Sequence, residues 1–446
     1  MRRCGAALTA FFLALGCCSS AVGAAAVHAM ASPRPASTAA RLLALARLWG
    51  DIKYFHPYLA YRNIDWDGAL STAIPKVEGA TTSADYAAAV ESMLDALHDP
   101  ATRVVDRSSD RPTTPHDEEP FVTARDRGGG AALVAFDWNA DVSSLTDGTA
   151  LSIAARTISA SKSVVVDLRT PRATTDQQAD GVDYAMESQL GKMLLHGETT
   201  LPAQRTRWYH GLPNQVAGEN WGQYDGGFRT ADARRFPGTA PMPRRVAFLA
   251  DANSYVPRLA VAMARDGSAT ILTTGGQPDH DDGDTSTLAL ADGVVAQIRL
   301  GEYADVAADA PVAENLDSSG DPVAAAFTRI EKHPAVSQEM ARPPMGRFTD
   351  DDPDSSPPFP DDAHRLLGVF RIYNAARYFF AYRPLMGDDW DGATLQAIGD
   401  VRAARDARSY VLAIERYYAY LHDSHGFVGG RLPATFFGAG VPWKTR

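Results

Sequence analysis

Cysteine is almost absent. The 446 residues hold three, Cys4, Cys17 and Cys18, all near the N-terminus. If that segment is removed on export, no disulfide framework, thiolate nucleophile or Cys-based metal site remains. Long apolar runs are lacking too. No stretch reaches the roughly 18–20 uninterrupted apolar residues of a membrane span. Basic charge is in deficit, with 43 Lys and Arg against 54 Asp and Glu and a net charge of −11. No Lys/Arg stripe offsets this, which excludes nucleic acid as the expected partner. The histidines show no His-x-x-x-His spacing, so neither metal nor cofactor is expected.

The first residues read as an export signal over 1–29. Arg2-Arg3 forms a basic start, Ala6 to Gly16 is apolar, and small-residue cleavage points follow near Gly23-Ala24 or His28-Ala29. The expectation is a periplasmic or secreted protein. Leu15-Gly16-Cys17 weakly resembles a lipoprotein box, which leaves lipidation as the alternative.

The most informative feature is a repeat. Residues 41–99 recur without a gap at 365–423, at an offset of 324. Asp65-Trp66-Asp67-Gly68-Ala69 matches Asp389-Trp390-Asp391-Gly392-Ala393, and Leu97-His98-Asp99 matches Leu421-His422-Asp423. Helical spacing of Leu42, Leu45, Trp49 and Ile52, with Ser37 or Thr38 as cap, predicts a first helix. Asp65 caps a second helix, and Ser83 opens a third. The first helical subdomain is therefore set at 37–106 and its copy at 363–430, after an acidic Pro-rich linker at 345–362.

Between them lies an α/β stretch, 131–333. Strands are expected at Ala131–Phe136, Ser163–Leu168, Val246–Leu249, Ala269–Leu272, Ser286–Leu290 and Val294–Leu300. Helices are expected at Pro257–Ala264 and Asp321–Glu331. Alternating strands and helices imply a largely parallel sheet.

Ser254 follows a strand through Asp251-Ala252-Asn253 and precedes a helix. A serine there is either a nucleophile beside free helix-start N–H groups or a helix cap. Asp279, Asp281, Asp282 and Asp284 surround Gly283, and the plain reading is a solvated loop rather than a calcium site.

Three stretches resemble the tail-specific (C-terminal-processing) serine peptidase family, in its tricorn-like branch. They are Arg47–Asp99, Val164–Arg169 (VVVDLR) and Val246–Gly276 (VAFLADANSYVPRLAVAMARDGSATILTTGG). The resemblance implies an α/β crotonase/ClpP-like catalytic domain, with a small all-α subdomain before it and a second copy after it. It implies Ser254 as nucleophile and the Tyr255 backbone N–H as oxyanion donor. It also implies a polypeptide as substrate or ligand. The departures concern the base. Ala101 stands where the branch has a histidine, and Asp279 where other branches have a lysine. His425, in the intact Asp423-Ser424-His425 of the second copy, and His280 are the substitutes considered. Two functions follow: an exported serine endopeptidase, or a catalytically dead homologue that binds polypeptide.

Overall fold

The computed structural model describes residues 36–105, 120–172, 174–209, 226–280, 283–316, 320–346, 357–386 and 389–423. All of them fall within one unit spanning Pro35–Arg446. The described residues open with helices α1 (Thr38–Phe55), α2 (Trp66–Gly79) and α3 (Ser83–Leu94). Strands β1 (Arg103–Val105), β2 (Val122–Gly128) and β3 (Ala131–Phe136) follow, then α4 (Thr149–Ser159) and β4 (Ser163–Asp167). Next come α5 (Asp176–Met186), α6 (Gln189–Leu194), β5 (Glu198–Thr200), β6 (Gln204–Tyr209), β7 (Gly226–Thr230) and β8 (Arg235–Pro237). The α/β part finishes with β9 (Arg245–Ala250), α7 (Arg258–Asp266), β10 (Thr270–Thr273), β11 (Thr285–Ala289), β12 (Val295–Arg299), β13 (Gly301–Tyr303), β14 (Glu314–Asn315) and α8 (Pro322–Lys332). The second helical copy is α9 (Asp362–Phe379), α10 (Trp390–Ala403) and α11 (Ala407–Ala419).

The main sheet has six strands in the order β14-β10-β9-β4-β3-β2. β3, β4, β9, β10 and β14 run parallel, and β2 is antiparallel to β3. Successive side chains point to opposite faces of a strand. Val164, Val166, Val246, Phe248 and Ala250 accordingly enter one core with α4 to α7. Val165, Ala247 and Leu249 enter another with Val323, Phe327 and Ile330 of α8. A strand covered on both sides must be apolar throughout, which explains the three consecutive valines of β4.

The repeated Asp-Trp-Asp-Gly has a physical reading at every position. Asp65 accepts from the Gly68 N–H at 2.8 Å, and Asp389 from Gly392 at 2.9 Å. A Cβ on Gly68 would lie 2.2 Å from that Asp65 carboxylate, so the cap requires glycine there. The Trp66 indole donates to the Trp49 carbonyl, and the Trp390 indole to the equivalent Tyr373 carbonyl. The second aspartate reaches across to the other copy. Arg371 pairs with Asp67 at 2.5 Å, and its counterpart Arg47 pairs with Asp391.

These reciprocal pairs define a pseudo-two-fold relation between the copies. Tyr54 and Phe55 pack edge-on against Tyr378 and Phe379, their own equivalents. Near the axis Asn374 faces Gly50, its equivalent, and donates to the Ala46 and Phe370 carbonyls, themselves an equivalent pair. Six helices and the β12 side chains Ala296 and Ile298 thus share one core. His98 and His422, in equivalent places, both take left-handed backbone, with φ of 49° and 51°. Their repetition marks a turn that ends the third helix of each copy.

Candidate functional site

The C-terminal ends of β4, β9 and β10 form a crest where parallel α/β sheets usually place their chemistry. Arg169 leaves β4 and forms a two-pronged pair with Asp167, at 2.8 and 2.7 Å. That hydrogen bonding raises the guanidinium pKa, with Asp251 and Asp321 adding to it. The Arg169 carbonyl accepts from the Trp138 indole, which fixes the turn.

Ser254 sits in the turn that follows β9, only 1% exposed. Its hydroxyl donates to Asp251 Oδ1 at 2.9 Å and accepts from the Asp251 N–H at 3.0 Å. Its own N–H donates to the Asp251 carbonyl. This is a closed Asp–Ser turn. The Tyr255 N–H donates to Thr174 Oγ1 at 3.2 Å. The Asn253 carbonyl in turn accepts from the Thr174 N–H, which ties the turn to residues beyond β4. Ser254 is not the cap of α7 either. Pro257 occupies that position, with no side-chain cap bond.

His280 is buried, and its Nε2 donates to the Ala307 carbonyl at 3.1 Å. Burial lowers its pKa and keeps the ring neutral. Among the described residues no hydrogen bond joins His280 to Ser254. His425 lies outside the described residues, as do Asp281 and Asp282. Ser254→Ala removes the acceptor of the part-buried Asp251 N–H and should lower the unfolding free energy by about 1 kcal/mol, read from urea denaturation.

A second polar cluster was not anticipated from the sequence. His56, Asp99, Thr102 and Arg299 are all buried where the first helical copy meets β12. His56 Nδ1 accepts from the Tyr58 N–H, so Nε2 carries the proton and donates toward Asp99 Oδ2 at 3.1 Å. Thr102 donates to the same oxygen at 2.8 Å, and Arg299 Nε approaches both carboxylate oxygens at 3.1 Å. Burial pushes the His56 pKa down, and Arg299 and Arg207 push the same way against Asp99. Burial alone would raise the Asp99 carboxyl. Arg299 and His56 override it and hold Asp99 well below the usual carboxylate range. Arg207 donates to the carbonyls of Lys53 and His56, capping the negative end of α1. The cluster fastens helices to sheet. No spacing could reveal it, because Arg299 lies 200 residues from Asp99.

A groove of about 410 Å³ runs between the helical copies and β11. Phe55, Tyr378, Leu288 and Leu300 give it apolar walls, and Asp51 and Arg207 give it charge. Both copies contribute, since Asp51 lies on α1 and Tyr378 on α9. Asp51 accepts from Arg377 at 2.6 Å and from the Tyr378 hydroxyl. β11 is the outer strand of the sheet β1-β12-β11, and its residues are mostly exposed.

The chain matches no family model and no curated protein. Similar solved structures include a lipoprotein from Streptococcus agalactiae, 10% identical, covering 67% of this chain and 98% of that one, with a TM-score of 0.43. A protein described as a peptidase candidate from Parabacteroides merdae is 12% identical over 61% of this chain and 85% of its own, TM-score 0.40. The photosystem II D1 C-terminal processing protease is 12% identical over 59% of this chain and 88% of its own, TM-score 0.34. No helix among the described residues is long and apolar enough to cross a membrane.

Proposed function

We propose that this chain is an exported polypeptide-binding protein with a peptidase-like α/β half whose serine is not armed for hydrolysis. The observation that carries this reading is the closed Asp251–Ser254 turn. A serine becomes a nucleophile when a base of suitable pKa takes its proton as it attacks, usually an imidazole. Here the hydroxyl proton goes to a carboxylate, which is a weak base toward an alcohol. The N–H groups of Ser254 and Tyr255, the expected oxyanion donors, already have acceptors at Asp251 and Thr174. An oxyanion would have to displace both.

Binding of polypeptide is supported by the groove beside β11. An extended segment can add to an exposed strand edge through main-chain hydrogen bonds, with apolar pockets reading alternate side chains. Leu288, Phe55 and Tyr378 supply such pockets.

The test pairs two assays on the mature chain and its Ser254→Ala variant. One incubates an unfolded protein mixture with each and reads new termini by mass spectrometry. The other follows binding of a fluorescein-labelled, reduced and carboxymethylated protein by anisotropy. The expected result is binding by both chains, weakened by Leu288→Asp, with no serine-dependent termini. Termini that vanish in Ser254→Ala would establish the endopeptidase instead.

A further inference from the structure

The two helical copies use one face differently. In the first copy, the segment after α1 is gripped by the α/β half. Tyr58 is 2% exposed, with the guanidinium of Arg299 5.7 Å from its ring. Tyr61 donates to Glu302 at 2.6 Å, and Arg205 lies 5.7 Å from the Tyr61 ring. Arg205 is itself held by Glu302 at 2.8 Å. The gripping residues come from β6, from the end of β12 and from β13.

In the second copy the equivalent tyrosine is kept, and among the described residues no such grip is present. Tyr382 stands where Tyr58 does and is 64% exposed; Leu385 stands where Tyr61 does and is 80% exposed. Phe380 replaces His56 and packs on Tyr382, with ring centroids 5.8 Å apart. The rest of the second copy looks after itself. Arg41 pairs with Asp292 of the α/β half, whereas Arg365, its equivalent, uses Asp362, the Pro360 carbonyl and the Phe359 ring. The strap before α9 therefore closes that corner and leaves the Tyr382–Leu385 face open. Two large apolar side chains at such exposure, side by side, mark a surface for a partner.

We propose that the Tyr382–Leu385 face is a docking surface for a second α/β half, built like residues 121–345. Pseudo-symmetry identifies the occupant. The same face of the same module, 324 residues earlier, is covered by the β12–β13 region of such a half. The partner is expected to bring a guanidinium to the Tyr382 ring and its equivalent of β13 to Leu385. A second copy of this chain does not fit, because its own β12–β13 region is already engaged with its own first module.

The test places the photo-cross-linker p-benzoylphenylalanine at Leu385 of the full chain and irradiates intact cells of the organism that makes it. A control chain carries it at Tyr184, which is 56% exposed on α5. The cross-linked peptides are then sequenced. The expected result is a cross-link from position 385, absent from the control and lost in Tyr382→Asp. It should fall in the strand pair equivalent to β12–β13 of a chain with this α/β element order. Cross-links to residues 424–446 of the same chain, to a second copy, to lipid or to an unrelated fold would overturn the proposal, as would none above the control. Either outcome leaves the binding test at the β11 groove unaffected, so the two readings fail separately.

Discussion

Asp99→Ala should lower the unfolding free energy by about 3–5 kcal/mol, the cost of breaking a buried ion pair by removing one member. Arg299 is only 1% exposed and loses the carboxylate whose two oxygens its Nε reaches at 3.1 Å. His56 and Thr102 lose their shared acceptor in the same step. Removing both charges together, as Asp99→Ala with Arg299→Met, should recover a large part of the loss. A mere surface pair would show neither effect. The cluster also sets a pH dependence. The His56 pKa is lowered from its ordinary 6.5 in the folded chain, so the unfolded chain takes up that proton first. The stability contributed by neutral His56 is complete above pH 6.5 and falls as the pH drops toward the folded value. Asp99, lowered from 3.8, adds a second loss below that pH. Chemical denaturation at a series of pH values should show both declines in the wild type and only the first in the double variant, where it is no weaker because Asp99, which opposed the effect of burial on His56, is gone.

Gly50→Ala should cost about 1–3 kcal/mol, because a Cβ at residue 50 overpacks the pseudo-two-fold contact. It would lie 2.1 Å from the Asn374 side chain, which is fully buried. The informative variant exchanges the two residues, Gly50→Asn with Asn374→Gly. Asn374 bonds the Ala46 and Phe370 carbonyls, and those positions are equivalent across the axis. An asparagine at residue 50 therefore finds the same two acceptors from the other side. The exchange should regain most of the stability lost in Gly50→Ala, measured by thermal or urea unfolding. Failure to recover would mean that the two halves of the contact are not interchangeable.

The repeat, the strands β3, β4 and β9 to β12 and the helices α7 and α8 were legible in the sequence for concrete reasons. The expected strand Ala131–Phe136 is β3 residue for residue, and Asp321 caps α8 as its position before Pro322 implied. Asp65 caps α2, and Ser37 caps α1. These features are local, set by caps and by apolar periodicity. Helices α4 to α6 and strands β1, β2, β5 to β8, β13 and β14 were not read, since polar residues interrupt their patterns or they are too short, and tertiary packing decides them. The packing of one helical copy on the other was equally hidden. The sequence holds Arg47 and Asp391 but not their pairing. The candidate site was legible only as residue types. Ser254 stands at a strand-to-helix passage as expected, yet whether its hydroxyl meets a base is a matter of distance. The nearest polar partner is Asp251, three residues away, and the turn that closes on it is stabilised by long-range bonds from Thr174.

The most direct measurement is the reaction of Ser254 with a fluorophosphonate. Such reagents phosphonylate serines that are activated and accessible. The mature chain is incubated with excess reagent, and its mass is compared with that of Ser254→Ala. The account predicts no adduct on Ser254, because the hydroxyl is buried and hydrogen-bonded to Asp251. A stoichiometric adduct on the mature chain that is lost in Ser254→Ala would contradict it and establish a working nucleophile.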